Sequence, residues 1–237
     1  MFKALDCLPI AALSVLVIQC AVPLKVASDC GIVQVLSSEL PTQAAEPYCR
    51  FAASEREKVE AIWGATWKNP IQIHVDSSYR ISMALVPAYQ GNRGFMQMPL
   101  RHIENNTGAV LHEIVHIYAP NNNRFLAEGL AVYLHWKLAG NPSFPITDET
   151  LEARARERLS EIGSLRALNR VRTPKPLSTV MNEQSAYILA GSFVGFLIEK
   201  YGLSEFKMLY ETENYDKVYG KPLEILEKEW RSALQEK

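Results

Sequence analysis

Five consecutive residues, His112-Glu113-Ile114-Val115-His116, hold the most specific chemistry in this chain. The window is apolar and helical in character. One helical turn is 3.6 residues, so imidazoles four positions apart leave the helix on one face and can share an ion. Glu113 stands about 100° round the helix from His112. From there its carboxylate can reach a water bound to that ion without becoming a ligand itself. Zinc, one ion per chain, suits such a site. Imidazole is a good zinc ligand, and a catalytic zinc site needs three protein ligands and one open position.

The third ligand is sought downstream. Residues 125–134 read FLAEGLAVYL, and Glu128 stands 12 positions after His116. Pro120-Asn121-Asn122-Asn123 breaks the first helix, so a second helix can return alongside it and present Glu128. A glutamate early in a helix is also favoured at a solvent-facing position by the helix dipole. Its neighbours Phe125, Leu126, Leu130 and Tyr133 instead mark a buried flank, which favours the ligand. His74, His102 and His135 read as structural or surface residues. Two histidines and one glutamate leave a position for water.

The surrounding elements must bring these groups together. Residues 31–36 read as a strand, 42–63 as a helix with Gly64 as its stop, and 70–76 as a strand with Ile71, Ile73 and Val75 on one face. Residues 84–90 and 94–99 read as a hairpin around a Gly- and Asn-rich turn. Thr107 or Asn106 can cap a helix to about Tyr118, and Asn123 caps the next, over about 124–138. Thr147 or Asp148 opens a charged helix to about Ile162. A long apolar helix over 183–201, a short one capped by Ser204, and a last one from Leu223 to Leu234 complete the chain. Strands first and helices after is an α+β arrangement, read as a single domain over 29–237.

Residues 1–28 read as a signal peptide: Lys3, an uncharged apolar run over 7–24, then the small residues Val26-Ala27-Ser28. An exported protein, periplasmic or secreted, is expected, and an uncleaved leader would be its one membrane anchor. Of four cysteines, Cys30 and Cys49 lie beyond the leader. In an oxidising compartment they most simply form one disulfide; two buried thiols are the alternative.

Composition narrows the function classes. The chain has 237 residues, with 25 basic against 26 acidic ones and 48% hydrophobic. That suits a compact domain with a sizeable core. It argues against a nucleic-acid binder, which needs a basic surface.

HEIVH followed by FLAEGLAVYL resembles the gluzincin zinc metallopeptidases, in particular the small peptidase-MA-like or minigluzincin group, whose short separation between second histidine and glutamate it shares. The stretch AYILAGSFVGFLIEKYG over 186–202 is also similar to that group. The resemblance implies a thermolysin-like zincin core: a small mixed sheet packed on the active-site helix, and a helical C-terminal subdomain forming the other wall of a cleft. It implies a peptide or protein substrate, with Glu113 as proton carrier and Tyr187 as donor to the developing oxyanion. It also implies a substrate-binding edge strand, for which Gly94, Phe95 and Met96 are the candidates. The alternative is a zinc-binding module on the same scaffold that no longer catalyses; the intact Glu113 favours catalysis.

Overall fold

Alternation of apolar and polar residues builds the sheet. The computed structural model describes residues 25–84, 94–139 and 149–236. Five strands, β1 (Val26–Asp29), β2 (Val33–Leu36), β3 (Ile71–Asp76), β4 (Met83–Ala84) and β5 (Phe95–Pro99), lie in the order β1-β2-β3-β5-β4. The inner pairs β2–β3 and β3–β5 are parallel, and the outer pairs β1–β2 and β4–β5 are antiparallel. Val33, Val35, Ile71, Ile73, Val75, Met96 and Met98 are buried on one face, as period-2 alternation requires. Their partners Gln34, Gln72, His74 and Gln97 lie on the other, half-buried.

Helix α1 (Thr42–Trp63) has the bounds expected from its periodicity, with Pro47 inside it and Gly64 closing it at φ +102°. It buries Ala45, Cys49, Ala52 and Val59 against the core. Its Arg56 ties three segments together. The Arg56 guanidinium donates to Ile32 O at 2.5 Å, Asn69 O at 2.9 Å, Trp67 O at 2.9 Å and the Tyr118 hydroxyl at 2.7 Å. A buried guanidinium with this many acceptors pins the end of the Val110–Tyr118 helix to the sheet connections.

A short α2 (Leu100–Glu104), which periodicity does not reveal, follows β5 directly. Asn106 then turns left-handed at φ +54°, and Thr107 and Gly108 donate their amides back to His102 O. The central helix α3 (Val110–Tyr118) therefore begins later than expected. Its N-cap is Ala109 without a side-chain bond, rather than Asn106 or Thr107. All nine residues of α3 are buried. Helix α4 (Arg124–Leu138) begins at the expected cap, with Asn123 Oδ1 accepting from Leu126 N at 3.3 Å.

The remaining chain is helical: α5 (Leu151–Arg158, capped by Thr150), α6 (Arg166–Asn169), α7 (Glu183–Tyr201), α8 (Leu203–Thr212), α9 (Tyr215–Tyr219) and α10 (Leu223–Glu236). Short α6 and α9 have no legible period, and α8 is preceded by Gly202 rather than capped by Ser204. The expected caps Thr147 and Asp148, and most of the strand expected over 84–90, lie outside the described residues. No helix among the described residues is long and apolar enough to cross a membrane.

Most of the expected leader also lies outside the described residues. Its last three residues, Val26–Ser28, belong to β1, so a cut after Ser28 would remove three of that strand's four residues. Cys30 and Cys49 are joined in a disulfide, with Cα atoms 6.1 Å apart, linking the β1–β2 turn to α1. The loop it closes spans 19 positions. Opening such a loop by Cys49→Ser should lower unfolding free energy by about 3 kcal/mol. Denaturant titration checks this; equal midpoints with and without the bond would refute it.

Candidate metal centre

Helices α3 and α4 run side by side because both are apolar nearly all round. Phe125 to His135 is buried as continuously as α3. The turn between them is fixed by polar groups. Asn123 Nδ2 donates to Asn169 Oδ1 at 3.1 Å and to Glu213 Oε2 at 3.0 Å, while Tyr210 donates its hydroxyl to Ala119 O at 2.7 Å. Arg124 N–H donates to Val171 O, and Thr173 N–H to Asn122 O. These bonds hold the start of α4 against the C-terminal half of the chain.

That placement brings His112, His116 and Glu128 together, all three buried. His112 Nε2 and His116 Nε2 are 3.1 Å apart. Glu128 Oε2 lies 3.1 Å from the first and 3.4 Å from the second. A tetrahedral ion with donors at about 2.0–2.1 Å would hold them about 3.3–3.4 Å apart, so this set fits a zinc ion. Burial acts to raise the Glu128 carboxyl. The imidazoles of His116 and His112 and the Arg124 guanidinium outweigh it and hold that carboxyl well below the usual range.

Glu113 stands on the same helix beside this group and is 6% exposed. Ala84 N–H, on β4, donates to its Oε2 at 2.7 Å. Burial raises the Glu113 carboxyl above its ordinary value. His112, the Ala84 amide and Arg124 act against that rise, and Glu128 adds to it. Tyr187, in the first turns of α7, stacks on His112 with ring centroids 6.3 Å apart and planes 24° from parallel. Burial first, then the Glu128 charge, pushes its phenol upward, so it stays a donor at neutral pH.

Close approach of α4 and α7 puts Tyr187 there. A Cβ on Gly129 would lie 2.6 Å from Val194 Cγ2 and 2.7 Å from Ala190 O. One on Gly191 would meet Val132 Cγ1 at 2.5 Å, and one on Gly195 would meet Tyr133 Cδ2 at 2.6 Å. The Ala190 carbonyl is backbone and cannot step aside cheaply. Gly129→Ala should therefore cost about 1–3 kcal/mol of stability by overpacking. Thermal or denaturant unfolding reads this directly, and an unchanged midpoint would contradict the packing argument.

One expectation needs correction. Strand β5 does not lie at an edge: β3 pairs with it on one side and β4 on the other, Met96 facing Ala84. Met96 is thus paired on both sides, and among the described residues the outer strand on the site's side is β4; whatever would face Gly94 and Phe95 there lies outside the described residues. Strand alternation reveals which face a residue takes but not which strand lies outermost. Two groups escaped the sequence reading. Arg124 has a signal there, its spacing of four from Glu128 on a helix; the Ala84 amide has none, since only the fold brings β4 to α3.

No family model matches the chain, and no curated protein matches it in sequence. Solved structures do match its shape. A mutant of the M1 zinc metallopeptidase from Deinococcus radiodurans aligns with TM-score 0.55 and 17% identity, covering 84% of this chain and 48% of that one. The M1 zinc metallopeptidase from the same organism aligns with TM-score 0.48 and 19% identity, over 86% and 47%. The chain thus spans about half the length of the structures it matches. At such identities the likeness shows the fold alone. That fold, a five-stranded mixed sheet followed by helices, resembles a zincin metallopeptidase catalytic domain. Within it the buried His112, His116 and Glu128 could bind a metal ion.

Proposed function

We propose that this protein is a zinc-dependent hydrolase of peptide bonds in peptides or proteins. The observation that carries the reading is the convergence of three buried ligand atoms beside a fourth, non-ligating carboxylate. Support comes from the zincin-like fold and its similarity to a structure described as a zinc metallopeptidase.

His112, His116 and Glu128 would hold the ion. When bound, zinc would lower the pKa of a water it holds and polarise the carbonyl to be cleaved. Glu113 would serve as the proton carrier, accepting a proton from the attacking water and returning it to the departing amine. The Ala84 amide on Glu113 Oε2 aims the carboxylate and leaves Oε1 as the proton-carrying atom. Tyr187, held against His112, donates its O–H to the oxygen on which negative charge develops. Its place at the start of α7 supports that role. The disulfide and the N-terminal apolar run favour an exported protein, periplasmic or secreted.

Metal analysis of the purified protein, joined to digestion of a peptide library, tests the reading. The expected result is one zinc per chain and cleavage that a chelator abolishes and zinc restores. Zinc retained with no turnover on any peptide would replace the enzyme by a structural zinc module. A protein without zinc affinity would defeat both.

A further inference from the structure

The two oxygens of Glu128 have different partners. Oε2 faces both imidazoles, at 3.1 Å and 3.4 Å. Oε1 lies 2.5 Å from Arg124 Nη2. We propose that Arg124 is a positioning residue of the metal centre: its guanidinium occupies Oε1 and so presents Glu128 to the ion through one oxygen alone. This rests on the reading of His112, His116 and Glu128 as zinc ligands.

Geometry makes the arrangement specific. Arg124 is the first residue of α4 and Glu128 stands four further on, so both side chains share a helix face. The arginine's own backbone is immobilised, its N–H bonded to Val171 O at 3.1 Å, directly after the capped and buried Asn123. Its side chain is only 15% exposed. A guanidinium offers planar, directional N–H groups, which fix a carboxylate's rotation as well as its charge. Glu213, the acid from the C-terminal half that accepts from Asn123, is itself bound by Arg172. Without Arg124, the Glu128 carboxylate is free to rotate, and Oε2 is no longer held facing both imidazoles.

Charge and orientation predict opposite signs, which makes the inference testable. A cation this close to a metal ion repels it, so a purely electrostatic role means that removing Arg124 tightens metal binding. An orienting role means that removal weakens it. Groups that hold a metal ligand in place are worth about 10–100-fold in metal affinity.

The experiment compares the wild-type protein with Arg124→Leu and Arg124→Lys. Zinc affinity is measured by chelator competition and coordination by the visible spectrum of the cobalt(II)-substituted protein. The expected result is zinc affinity about 10–100-fold weaker in R124L. The cobalt spectrum should also differ from that of the wild type, because Glu128 no longer presents Oε2 in one fixed orientation. R124K keeps the charge and most of the packing but loses the fork, and should show a smaller loss in the same direction. A role in folding alone would lower the unfolding midpoint while leaving affinity and cobalt spectrum of the folded fraction unchanged, and that outcome overturns the inference. Tighter zinc binding in R124L overturns it too. Should R124L not fold, wild-type affinity and spectrum in R124K would decide against it. If the wild-type protein binds neither zinc nor cobalt, the ligand reading itself fails and this inference falls with it. Zinc bound by the wild type and equally by both variants sinks the inference alone.

Discussion

Glu113→Gln should leave zinc bound and lower kcat/KM by about 100- to 10,000-fold, the range supplied by a positioned acid–base group. The substitution is nearly isosteric, so the Ala84 amide still finds an oxygen acceptor where Glu113 Oε2 now lies, and α3 keeps its packing. What disappears is a basic oxygen beside the three ligands. The side chain is buried, so bulk water cannot readily substitute for it. The check is paired: zinc stoichiometry and steady-state hydrolysis of one peptide identified in the library digest. A variant that cleaves as fast as wild type would remove Glu113 from the mechanism while leaving the metal site standing.

His116→Ala should abolish tight zinc binding altogether. Three ligands are the fewest found in a catalytic zinc site, and the two that remain do not enclose an ion. The consequence extends to stability. Zinc at about 100 times its Kd stabilises a folded protein by about 2.7 kcal/mol, which for a domain of this size raises Tm by about 5–10 °C. Wild-type protein should show that rise on adding zinc to the chelated form, and His116→Ala should show none. Calorimetry on the two proteins, with and without zinc, reads the difference. A full rise in the variant would mean that the stabilising zinc sits elsewhere.

The two predictions separate the site into parts that were unequally legible in the residues. The candidate ligands are local: His112 and His116 share a face by helical period, and Glu128 follows after a break marked by Pro120 and capped by Asn123. Period and caps are properties of short windows, so α1, α4 and α7 have the bounds their residues suggest. Short elements fail that test. Helix α2 has five residues, too few for a period, and the left-handed turn at Asn106 moves the start of α3.

The glycines are a different case. Gly129, Gly191 and Gly195 lie inside helices, where glycine in isolation weakens the structure. Their reason appears only across the α4–α7 contact, where Ala190 O, Val132 and Tyr133 occupy the space a Cβ would need. That contact sets how far Tyr187 stands from His112.

From its residues alone, the chain specified an α+β fold, the two helices that carry His112, His116 and Glu128, the suitability of that set for a metal ion, and a disulfide as the simplest use of Cys30 and Cys49. Each of these depends on spacing along the chain or on the chemistry of a side chain, and neither changes with context. Tertiary structure decided that β4 and not β5 is the outer strand, that the Ala84 amide meets Glu113, and that Arg124 holds one oxygen of Glu128. Those facts depend on which distant segments pair, and pairing is chosen by the sum of contacts across the whole core, which no window of neighbouring residues contains.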